Sequence, residues 1–145
     1  MSSSLQQLLR DKDKAGVFVT GPDTRVIAEA ASSAGLALWR LDIGHVHDKQ
    51  GFIGLVAKAL DFPEWFGGNW DALEDCLTDL SWLKANGYVV LLENCAEFVK
   101  RAPHEFAMST QVFESVAEYW DEKDKPFWTL FGGIKAPVSG IKPLA

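Results

Sequence analysis

Four carboxylates, Asp71, Glu74, Asp75 and Asp79, crowd into one short stretch of this chain. If residues 69–80 are helical, with about 100° between successive residues, Asp71, Asp75, Thr78 and Asp79 share one side and Glu74 lies at its margin. Trp70, Leu73, Leu77 and Leu80 then share the opposite side. Carboxylates so arranged can dock a basic partner, hold Mg²⁺ as hydrolase carboxylates do, or simply form a solvated face. The metal reading calls for a phosphate-binding Gly-Lys loop, and Gly132-Gly133 lacks the flanking pattern of one. Asp71/Asp75 and Asp75/Asp79 are like-charge pairs four residues apart, each costing about 0.2–0.5 kcal/mol. Asp is also a weak helix former, and no Lys or Arg lies between Lys58 and Lys84 to neutralise the stretch. Local stability is given up for concentrated negative charge. From the residues alone, a solvated face and a docking surface remain equally open.

The segment just before the acidic stretch is Trp65-Phe66-Gly67-Gly68-Asn69. Asn69 has the side chain of a helix N-cap. The two rings are either core residues or aromatic anchors beside a charged face, the composition that marks interface centres. His45-x-His47-Asp48 resembles a set of metal ligands but no further ligand is identifiable, and a polar loop accounts for it. Cys76 and Cys95 form no CxxC pair, so neither a zinc site nor a disulfide framework follows. No Ser/His/Asp or Cys/His arrangement emerges from the spacing, and no cofactor is expected.

The elements that must position these residues alternate. Strands are expected at 15–20 (AGVFVT), 36–43 (LALWRLDI), 88–93 (YVVLLE) and 127–131 (FWTLF). Helices are expected at 24–34, 52–60, 69–80 and 105–122, with shorter turns at 5–10 and 96–100. Gly35, Pro63 and Asn86-Gly87 punctuate them, and Pro103 suits the first turn of the longest helix. This order implies an α/β fold, a mostly parallel sheet of about four strands with helices packed in two or three layers. Residues 132–145, rich in Gly, Pro and Lys, read as an exposed C-terminal tail.

The bulk figures set limits. At 145 residues the chain suits a single domain. Hydrophobic content of 48%, with six Trp and nine Phe, supplies a sizeable core. Twenty acidic against 14 basic residues give a net charge of −6. That balance disfavours direct nucleic-acid binding, which needs clustered Lys and Arg, and suits a cationic partner. No apolar run is long enough to span a membrane, and MSSSLQQLLRDKDK lacks the apolar core of a signal peptide. A cytoplasmic setting is expected.

The segment 63–80, PEWFGGNWDALEDCLTDL, resembles the barstar family of ribonuclease inhibitors. The family pattern, Pro-Glu-aromatic-aromatic-Gly-x-Asn-x-Asp-Ala-Leu-x-Asp-Cys-Leu-Thr, is matched at every fixed position. Weaker similarity extends over 36–131, leaving residues 1–35 as an additional N-terminal βα unit and 132–145 as the tail. The resemblance implies a barstar-like fold, no enzymatic activity, and a partner that is a basic extracellular-type ribonuclease or toxin nuclease. It implies an immunity role in which the acidic helix and its preceding loop fill the partner's cationic cleft. Asp75 then corresponds to the central carboxylate, Asp71 to its neighbour, and Trp65 to an aromatic that stacks in the cleft. Asn69, Thr78, Gly67 and Gly68 line the same surface. Glu74 replaces a family aromatic, and Gly68 stands where the family carries an acidic residue. The family's second contact, a Glu on the last long helix, has Ser115 or Glu118 in its place. The other reading is a regulatory or adaptor domain on the same fold that binds a basic protein other than a nuclease.

Overall fold

A computed structural model describes residues 2–62, 68–81, 83–134, 137–138 and 140–144, with side chains from Ser4 onward. Its elements run α1 (Ser2–Arg10), β1 (Val17–Thr20), α2 (Arg25–Ser33), β2 (Ala37–Asp42), α3 (Lys49–Ala59), α4 (Trp70–Asp79), β3 (Tyr88–Glu93), α5 (Ala96–Arg101), α6 (Pro103–Glu122) and β4 (Phe127–Gly132). The four strands form one sheet in the order β1-β4-β3-β2, and every pairing is parallel.

The apolar runs decide which strands are central. Every residue of β4, and every residue of β3 but the last, is buried, so both strands need cover on two faces and lie in the middle. In β2 only Leu41 is fully buried, as suits an edge.

Side chains alternate across the sheet and build two cores. On one face Tyr88, Val90, Leu92, Phe127 and Phe131 pack with side chains from α3, α4, α5 and α6. Phe52 sits at the centre of that core, stacked on Phe98 at 5.0 Å and edge-on to Phe113 at 6.4 Å. On the other face Val89, Leu91, Trp128 and Leu130 pack against Leu9 of α1 and the alanine-rich side of α2. The architecture is therefore three-layered, and α1 and α2 are the third layer. The N-terminal unit also extends the sheet, since β1 pairs with β4.

Two expectations need correction. The turn expected at 5–10 is part of a nine-residue helix. The C-terminal tail is not an exposed appendage. Val19 N–H donates to Lys142 O, and Leu144 N–H to Val19 O, each at 2.9 Å. Residues 142–144 thus lie along the outer edge of β1, and Ile134 and Ile141 are buried. An edge strand has a row of unpaired backbone groups, and this segment satisfies them whatever its Gly and Pro content.

Candidate functional site

Helix α4 starts where its cap allows. Asn69 is extended, and its Oδ1 accepts a hydrogen bond from Ala72 N–H at 2.7 Å. Asp71 follows in the first turn, where the helix dipole favours a carboxylate. The helix stops at Leu80, whose φ of 40° is left-handed and whose N–H reaches Cys76 O at 3.2 Å.

Its two faces divide as the spacing predicts. Leu73, Cys76 and Leu77 are fully buried, and Leu80 nearly so. Trp70 is half-buried, its ring 6.0 Å from that of Phe52. From the neighbouring helix α6, Trp120 Nε1 donates to Leu77 O at 2.9 Å. That bond fixes α4 against α6, because a buried indole N–H left unpaired is costly.

Outward, Asp71, Asp75 and Asp79 are exposed, with Glu74 and Thr78 half-buried beside them. Among the described residues no Lys, Arg or His forms a salt bridge with any of the four carboxylates. Their field is felt beneath: burial, then Asp75 and Asp79, push the Cys76 thiol above its usual range. Thr78 Oγ1 donates back to Glu74 O at 2.9 Å and Asp75 O at 3.3 Å.

Not every expected site residue joins this face equally. The Asn69 carbonyl oxygen is committed to the cap, leaving its amide nitrogen for other contacts. Gly68 has φ +72°, a left-handed backbone that strains any side chain, although among the described residues a Cβ there would meet nothing within 4 Å. An acidic residue is thus disfavoured at Gly68 by conformation. Trp65 and Gly67, with Phe66, lie outside the described residues. On α6, Ser115 and Glu118 are both exposed, but Glu118 lines a cleft with Lys12, Glu114 and Asp121, on the flank turned to β1.

A second polar cluster sits at the carboxyl ends of the strands. Arg40 donates to Glu93 at 2.8 Å, and the Thr24 hydroxyl donates to the same carboxylate oxygen. Asn94 Nδ2 and Gly44 N–H both donate to Asp42, at 3.0 and 2.9 Å. Burial works against ionisation of Glu93, but Thr24 and Arg40 outweigh it and hold the carboxyl below its ordinary range. These groups satisfy one another and tie the N-terminal unit to β2 and β3. Asp48, from the His45-x-His47-Asp48 set, caps α3 by accepting from Gly51 N–H at 2.8 Å. Among the described residues no cluster of three or more His, Cys, Asp or Glu side chains could hold a metal ion, and no helix is long and apolar enough to cross a membrane.

Sequence reasoning passed over Tyr119. It is 37% exposed on α6, next to the residue that holds α4. The only signal was its position outside the apolar stripe of a helix whose buried side runs Phe106, Phe113, Val116, Trp120.

No curated protein matches the chain. Residues 36–132 match the family described as Barstar (barnase inhibitor), from the residue before β2 to the last residue of β4. That match covers most of the chain, including α4 and the segment before it, and leaves out α1, β1 and α2. With its parallel four-stranded sheet and acidic helix, the chain belongs to the barstar family.

Proposed function

We propose that this protein is an inhibitor that binds a basic bacterial ribonuclease, barnase-like or a toxin nuclease, and blocks its active site, serving as an intracellular immunity protein. The observation that carries the reading is α4 itself. Its apolar side is locked into the core, and its other side presents Asp71, Asp75 and Asp79 without an intramolecular cation among the described residues. A ribonuclease cleft is lined with cations that hold RNA phosphates. Carboxylates on a rigid helix can take those places, each forming charge-assisted hydrogen bonds that strengthen as water is excluded.

In this reading Asp75 meets the cations at the cleft centre and Asp71 those beside it. Trp65, Asn69, Thr78, Glu74, Gly67 and Gly68 complete the surface. No bond is made or broken; the ribonuclease is stopped because its cleft is filled. Opposite potentials also speed encounter, as in the barnase–barstar pair from which that generalisation is partly drawn. The experiment is calorimetric titration against barnase and against ribonuclease toxins encoded near the gene. A 1:1 complex that loses at least about a hundredfold in affinity on Asp75→Ala supports the assignment, a loss in line with truncating one member of a buried charge pair. Unchanged affinity removes Asp75 from the site.

A further inference from the structure

We infer that Tyr119, on the flank of α6 beside α4, takes a cationic side chain of the partner on its ring, in competition with this chain's own Lys123. The inference rests on the reading of α4 as a ribonuclease-docking helix.

Tyr119 is one of two large hydrophobic side chains left exposed among the described residues; the other, Val26, is on α2 across the sheet. Its orientation follows from its neighbours. Trp120 reaches Leu77 on α4, while Asp121 turns the other way and meets Lys12 Nζ at 3.2 Å. Helical spacing then places Tyr119 on the α4 side. The ring is braced at 90° against Trp120, with centroids 5.2 Å apart, so little order has to be gained on binding.

These rings already attract cations. Lys123 Nζ lies 5.5 Å from the Tyr119 centroid, and Lys125 Nζ lies 5.9 Å from that of Trp120. A partner that brings cations to the α4 carboxylates brings them to this ring as well. The ring quadrupole attracts a guanidinium from one direction while a carboxylate bonds it from another. Lys123 is exposed and flexibly tethered, so it can be displaced, but its charge opposes the newcomer. A planar guanidinium, which stacks on a ring better than an ammonium, is the group favoured in the exchange.

Catalytically inactive barnase is the probe, titrated at physiological ionic strength with circular dichroism confirming that each variant is folded. Tyr119→Ala is expected to weaken binding about tenfold, Tyr119→Phe to keep it within about twofold, and Lys123→Ala to tighten it about two- to threefold. If Tyr119→Ala binds like the unsubstituted protein while Asp75→Asn is weakened, the inference falls and the docking reading stands. Loss on Tyr119→Phe equal to that on Tyr119→Ala overturns the role of the ring face. A Lys123→Ala variant that binds more weakly overturns the competition. No binding by the unsubstituted protein, either to barnase or to the ribonuclease toxins encoded near the gene, or none of these variants altering it, overturns the docking reading and this inference together.

Discussion

Trp128 Nε1 on β4 donates to the carbonyl oxygen of Leu9 on α1 at 2.8 Å, across 119 positions of sequence. Leu9 and Trp128 are both fully buried, in the core that lies under α1 and α2. The family match begins at residue 36, so this bond joins family-matched sequence to the unit outside it. Removing residues 1–35 uncovers Val89, Leu91, Trp128 and Leu130, a contiguous apolar face. The shortened chain is expected to aggregate or to lack a cooperative thermal transition. The gentler Trp128→Phe orphans the Leu9 carbonyl and is expected to cost about 1–3 kcal/mol by urea unfolding. A shortened chain that melts like the full one would show the third layer to be dispensable.

Thr129 lies in the middle of β4, fully buried, and its hydroxyl has no hydrogen-bond partner among the described residues. Desolvating a hydroxyl without a partner costs about 1–3 kcal/mol. Valine has nearly the same shape and no such group. Thr129→Val is therefore expected to stabilise the protein by about 1 kcal/mol or more, raising Tm by roughly 2–4 °C per kcal/mol. Calorimetry checks this, and a lowered Tm would mean that the hydroxyl is satisfied after all.

The Glu93 carboxyl is held below its ordinary range by Thr24 and Arg40, against the opposing effect of burial. A depressed folded pKa means that the stabilisation is present above the unfolded value, about 4.3, and is lost as pH falls through the lower folded value. The protein is expected to lose Tm on acidification below that point. Glu93→Gln removes this part of the loss, so its Tm is expected to be lower at neutral pH and to converge on that of the unsubstituted protein in acid. Parallel curves would exclude Glu93 as a contributor.

Asp75 sits four residues from both Asp71 and Asp79 on an exposed helix face. Asp75→Asn removes both like-charge pairs, together worth about 0.4–1 kcal/mol. The free protein is expected to be slightly more stable while its ribonuclease affinity falls. Added salt should erase the stability gain, because exposed charges are screened. Denaturation at low and high salt measures it. A variant destabilised at low salt would show that the Asp75 carboxylate supports the helix.

The sequence by itself determined much of this protein. The four strands, the long helix expected at 105–122, the two-sided helix expected at 69–80 and its Asn69 cap were legible, because hydrophobic period and capping chemistry act over a few residues. So was the family, from the segment 63–80. Tertiary structure alone decided the rest. Period does not say which strand neighbours which, so the order β1-β4-β3-β2 and the choice of three layers followed only once both faces of β3 and β4 needed cover. Residues 132–145 looked like a free tail because Gly, Pro and Lys carry no periodic signal; the unpaired edge of β1 gave residues 142–144 their place. The same holds for Tyr119, whose position beside α4 depends on the Trp120–Leu77 bond between residues 43 positions apart. Local chemistry is written in neighbouring residues, whereas edges, layers and surfaces exist only after distant segments have paired.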